Sequence, residues 1–150
     1  MAKLTQLEVV NIIEAARERN ERPDLSRRDL SAIGLFGVDL SEIDLIGANL
    51  RQANLIRANL TNVNLDRAQL VEANLTQANL SGADLSRADL FQAVLTDANL
   101  SGAKLNQANL DGASLNGVNF SEANLSGAIY TDYTKWPTGF DPKSAGARKA

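Results

Sequence analysis

From Leu25 to Leu125 every fifth residue is Leu, with Phe120 the one exception, and Tyr130 takes the next slot. A period of five suits neither common element. An α-helix advances about 100° per residue, so leucines five apart would spiral around it and form no stripe. In a flat strand, successive leucines would land on opposite faces. The period fits a chain that bends once per five residues. Each unit then holds a short extended piece whose odd residue is absorbed at a corner, where Gly, Ser and Asn are favoured. Equal bends close the chain into coils that stack about 4.8 Å apart through backbone hydrogen bonds. The predicted product is a solenoid with leucine along its axis.

The other slots agree. From Ala48 to Ala128 the residue two before each Leu is Ala, save Val63 and Val118. Two residues apart in an extended piece, this residue and Leu point the same way, inward. The slot just before Leu is mostly Asn or Asp, as at Asn49, Asn54, Asn59, Asn64, Asn74, Asn79, Asp84 and Asp89. Such a side chain is expected to bond local backbone. Tandem A-(N/D)-L-x-x resembles the pentapeptide-repeat family. The resemblance implies a right-handed, four-sided β-helix with four units per coil, about 5.5 coils here. One internal sign favours four sides: residues 41, 61, 81, 101 and 121 are Ser, Thr, Ser, Ser and Ser. Leu45, Leu65, Leu85, Leu105 and Phe120 are core positions in this reading. The division is a helical cap over 1–23, a repeat body over 24–130, and an aromatic cap with a flexible tail over 131–150.

Both ends of such a tube need covers, because an open coil exposes apolar side chains and unpaired backbone. Thr5 to Glu8 reads as a capping box, with Leu4 stapling against Val9. Val9, Ile12, Ile13 and Ala16 make an apolar stripe, and Pro23 stops the helix, predicted over residues 4–20. Four acids and four bases in residues 1–23 cancel, which argues against a helix lying on an anionic membrane. Glu8 and Asn11 interrupt the apolar stretch, a poor secretory signal, so a cytoplasmic setting is expected. At the other end, Tyr130, Tyr133, Trp136 and Phe140 are read as a cover for the last coil. Residues 134–142 also resemble the tails of cyanobacterial members of the family. Residues 143–150 are read as a mobile tail.

Chemistry is sparse. The chain has no Cys and no His, which removes disulfides, thiol nucleophiles, imidazole ligands and every catalytic pair that uses them. Gly-rich phosphate loops are absent. Asp39, Glu42 and Asp44 are the nearest carboxylates, and no proton acceptor accompanies the Ser column. No catalytic residue, cofactor or metal ligand is assigned. Residues 20 apart should be vertical neighbours, which sets Phe36 over Ile56 and Val71 over Phe91. Val94 replaces Asn around the corner from Phe91. These five are the candidate partner-contact patch. Arg27, Arg67 and Arg87 share a column, flanked by Asp66, and read as a solvated face.

The expected function is a non-catalytic scaffold for protein–protein interaction or regulation. Its partner is an unidentified protein, with a homodimer possible, and no nucleic acid or membrane is expected. Resemblance supplies one alternative, since some members of the family are dimeric DNA mimics that protect gyrase. The body, residues 24–129, holds 12 acids and 7 bases, a net of −5. Duplex DNA of the same ~26 Å length would carry about 15 charges. The body therefore has about a third of the charge of its supposed model.

Overall fold

The computed structural model describes residues 2–150. Along the body each residue before a Leu pairs in parallel with the residue 20 further on, from Asp24 with Asp44 to Asn109 with Ile129. A step of 20 is four pentads, so the tube is four-sided. Its five-residue unit satisfies its own backbone, as the unit from Asn64 to Ala68 shows. Asn64 N–H donates to Ile43 O of the preceding coil at 3.0 Å, and Leu65 N–H to Asp84 O of the next at 2.7 Å. Asp66 N–H donates to Asn64 Oδ1 at 3.1 Å. Arg67 N–H donates to Ser86 O at 2.9 Å and Ala68 N–H to Leu65 O at 3.0 Å. No donor is left over, and the Asn side chain completes the set. That is why Asn and Asp recur at this position.

The corner is the turn Leu-x-x-Ala, closed by the Ala N–H on the Leu carbonyl. Its third residue has φ between 53° and 73° at every corner from Arg27 to Gly127. Positive φ at that point is the mark of a type II turn. Most of these residues are Arg, Gln, Glu or another non-glycine, so neighbouring hydrogen bonds hold an unfavourable conformation in place. At some corners Gly leaves room for a side chain of the coil beneath. A Cβ at Gly82 would collide with the Asn62 carboxamide, and one at Gly117 with the Asp97 carboxylate.

Leu45, Leu65, Leu85 and Leu105 are at most 1% exposed, and the inward alanines from Ala48 to Ala113 are equally buried. Phe120 is only half-buried, because it lies in the last complete coil. The first coil departs from the Ala rule. Its four inward slots hold Pro23, Arg28, Ile33 and Val38, larger side chains at the level where no coil is stacked above; Ile43 follows in the second coil, next to Pro23. Arg28 is half-buried there, with its Nε buried and unpaired.

Helix α1 (Gln6–Glu18) closes this end. Thr5 is its N-cap, with Oγ1 accepting from Glu8 N–H at 3.2 Å. The Glu8 carboxylate accepts the Thr5 hydroxyl at 3.0 Å, instead of returning to the backbone as a full capping box would. Asn20, at φ 55°, ends the helix. Asn20 N–H reaches Arg17 O and Glu21 N–H reaches Ala16 O, the Schellman pattern. Leu4, Val9 and Ile13 join the core of the first coil. Ahead of α1, Lys3 pairs with Asp29, adding one rung to that wall.

At the far end the register slips by one. Ser114 pairs with Lys135, not with residue 134. Strand β1 (Ile129–Tyr130) pairs in parallel with β2 (Arg148–Lys149). Residues 143–150, read from sequence as a mobile tail, thus lie along the last coil. Arg148 N–H donates to Ala128 O at 2.7 Å and Ala150 N–H to Tyr130 O at 2.8 Å. The cause is the pair of carbonyls that the coil leaves open, to which the tail is the nearest donor. Tyr133 also departs from its expected place in the cover and is 79% exposed.

Candidate interaction surface

The walls carry the five candidate contact residues on three columns. Phe36 and Ile56 are adjacent rungs of one, since Gly37 N–H donates to Ile56 O at 2.9 Å. Phe36 is 56% exposed and Ile56 half-buried. Val71 and Phe91 are adjacent rungs of another, joined by Glu72 N–H on Phe91 O at 2.9 Å. Val71 is buried, at 7% exposure, at the floor of a groove it shares with Ser31, Arg51 and Glu72. Phe91 and Val94 are half-buried. Val94 pairs with Asn74 and Ser114. Phe36 is therefore the one strongly projecting member, and Val71 offers little surface.

The polar groups of the walls are engaged locally. Asp66 accepts from Nε and Nη2 of Arg87 at 2.7–3.0 Å. Asp44 accepts from Arg22 at 2.7 Å. Asp39 lies 3.3 Å from Arg17. Desolvation pushes the Asp39 carboxyl up, but hydrogen bonds from Ser41 and the charge of Arg17 outweigh it and hold the group below its usual value. Asp29 is lowered by the hydroxyl and N–H of Ser31. Gln52 reaches Glu72 at 2.7 Å, and Arg57 reaches Gln77 at 2.8 Å, each one coil along. Among the described residues no group of three carboxylates is placed to hold a metal ion. No described helix is long and apolar enough to cross a membrane.

The C-terminal end is a second surface, which the sequence reading treated only as a cover. In a regular sixth coil, residues 136–145 would form two walls. Instead they curl into turns, with Phe140 N–H on Pro137 O and Ala145 N–H on Asp141 O. Their aromatics still continue the interior. Phe140 sits 4.8 Å from Phe120, 20 residues on, which is one coil step. Trp136 stacks on Phe140 at 5.2 Å and meets Tyr130 edge-on at 5.5 Å. Its indole N–H is buried and unpaired.

A tube of four pentads per turn, with Asx-capped corners and inward Leu and Ala, defines the pentapeptide-repeat β-helix. The family model for pentapeptide repeats matches eight copies over residues 35–70, 68–107 and 93–129. The chain belongs to this family. It is similar to the pentapeptide repeat protein Rfr23 of the cyanobacterium Cyanothece, at 31% identity and TM-score 0.76, covering 85% of this chain and 98% of that one. HetL of Nostoc, described as involved in heterocyst differentiation regulation, is 33% identical over 83% of this chain and 67% of its own, at TM-score 0.43. QnrB1, a plasmid-mediated fluoroquinolone resistance protein, is 16% identical over 88% of this chain and 68% of its own, at TM-score 0.48. No curated protein sequence matches the chain.

Proposed function

We propose that the protein is a non-catalytic scaffold that presents its walls to a protein partner. The observation that carries this reading is Phe36. It is a large apolar side chain, 56% exposed, on a tube whose carboxylates Asp39, Asp44 and Asp66 are each paired with an arginine. Exposing a phenyl ring to water costs on the order of 1.5–3 kcal/mol relative to burying it, which a partner surface would recover. Ile56 on the next rung, and Phe91 with Val94 around the corner, extend the apolar area. Against catalysis stand the engaged carboxylates Asp39, Asp44 and Asp66 and the lack of any base beside the Ser column.

The test is the double substitution Phe36→Asp with Phe91→Asp. Affinity capture from source lysate is compared with the parent, and sedimentation is run at two concentrations. The reading expects captured partners, or a self-associated form, to disappear while the β-helix remains folded. The same partners and sedimentation in both proteins would retire the wall as an interface. A duplex-mimic acting on a type II topoisomerase is the rival. Local neutralisation of Asp39, Asp44 and Asp66 by Arg17, Arg22 and Arg87 counts against it. Inhibition of gyrase supercoiling at micromolar protein would replace the scaffold reading with that one. A cytoplasmic setting is part of the same proposal, and cell fractionation tests it.

A further inference from the structure

The end of the tube is open on two of its four sides. One coil earlier, the backbone of residues 98–105 is fully engaged. Leu100, Gly102 and Leu105 donate to Asn119 O, Ser121 O and Asn124 O, and Ala98 O and Ala103 O accept from Asn119 and Asn124. The equivalent groups of the last coil are the N–H of Phe120, Glu122 and Leu125 and the carbonyls of Val118 and Ala123. None of them has a partner among the described residues. The side chains tell the same story. Ala123 is half-buried where the body's inward alanines are fully buried, and Phe120 is half-buried where its Leu counterparts are fully covered. The other two sides of this layer are occupied, one by Lys135 against Ser114 and one by β2 against β1.

We infer that the edge from Val118 to Leu125 docks an extended segment of a partner protein, which adds two pentad-like walls to the tube. This names the partner's form and so rests on the scaffold reading above, though it uses a different surface. Three donors and two acceptors in a fixed order are a template for polypeptide backbone, and strand addition to an open edge is an established mode of recognition. The aromatic plug excludes a broader occupant. Phe140 and Trp136 stand one coil step beyond Phe120, so the flat end of a second tube would meet the rings before it reached the edge. A single strand passes beside them. Its inward side chains would lie against Phe120 and Ala123, which calls for small or apolar residues there.

The probe is the decapeptide of residues 98–107, acetylated and amidated, because that segment already carries the matching backbone pattern. Trp136, the only tryptophan of the chain, lies 6.0 Å from Phe120 and reports on the edge by its emission. Amide hydrogen exchange reports on the N–H groups themselves. The expected result is a saturable change in emission together with slowed exchange at Phe120, Glu122 and Leu125. A peptide N-methylated at the residues equivalent to Asn99 and Lys104 loses the donors for Val118 O and Ala123 O. It should bind about tenfold more weakly, or worse. Unchanged exchange at the three amides, or equal binding of the methylated peptide, overturns the inference. So does protection that appears on concentrating the protein alone with a dimer in sedimentation, since the occupant is then a second copy. The Phe36→Asp, Phe91→Asp protein should bind the peptide unchanged, so failure of the wall reading and failure of the edge reading are separate results.

Discussion

The two ends of the tube solve one problem in different ways. At the N-terminal end a foreign element, α1, is laid over the first coil, and the coil's inward slots change to fit it. Ile33 and Val38 stand where the body has alanine. At the C-terminal end the chain attempts another coil and completes half of it. Lys135 and β2 keep the ladder, and residues 136–145 between them abandon it. Their aromatics still fill the bore at the coil spacing. Side-chain stacking thus outlasts backbone pairing by half a turn. The helix covers its end as a unit and, like the far end, leaves some backbone groups of the coil unpaired, among them the N–H of Gly34 and Asp39. The collapsed coil covers the bore and leaves the Val118–Leu125 edge unpaired.

Four experiments would break or sharpen that contrast. The largest effect is expected from Ile13→Asp, which puts an unpaired charge under α1 at a side chain 2% exposed. A loss of about 4 kcal/mol or more is expected, with helical circular dichroism lost before the β signal. Simultaneous loss of both signals would show that the helix and first coil are one unit. Trp136→Ala comes next. Its ring is half-buried and contacts three other rings, so about 2–3 kcal/mol in a urea titration is expected. A midpoint equal to the parent's would mean that Phe140 alone closes the bore. Ala83→Leu should destabilise by about 1–3 kcal/mol, because its slot is fully buried between stacked coils. Ile33→Leu in the first coil, at a side chain 5% exposed, should cost less, about 1.5 kcal/mol at most. Equal penalties would deny that the first coil has a different interior.

The smallest effect concerns acid. Asp24 and Asp29 are held below the ordinary carboxylate value by the hydroxyl and N–H of the serine two residues on. A depressed folded-state value contributes stability above the ordinary value, and that stability is lost as pH falls below about 4. Asp29→Asn keeps the acceptor oxygen and removes the titration. The urea midpoint of that variant should therefore fall less steeply between pH 4 and pH 2 than the parent's, as about one group's share of the slope. Parallel slopes would show that Asp29 is equally bonded in the unfolded chain. Asp141, lowered by Ser144, is the counterpart at the other end.

The body was legible because its rule is local. Leu65 and Asn64 each have a neighbour of the same kind 20 residues away, so reading one unit reads its surroundings. The candidate contact residues were placed on the right columns by the same arithmetic, but their exposure was not. Val71 looks as available as Phe36 in the sequence and is nearly buried, in a groove that Arg51 and Glu72 also line. The far end was less legible still. The spacing of 20 between Phe120 and Phe140 was the available signal for a continued bore. No sequence pattern announces that Ala128 O and Tyr130 O stand open, and these are what draw the last residues into β2.

By itself the sequence determined the period, the inward and outward slots, the corner positions and the absence of Cys and His. The first three follow from steric and hydrogen-bonding preferences acting within five residues. The tertiary structure decided the slip of one between Ser114 and Lys135, the half-burial of Arg28 in the first coil, and which backbone groups stay unpaired at the last coil. Those outcomes depend on what remains unsatisfied once the repeat stops, and only the assembled tube shows which groups are left and which segments lie within reach of them.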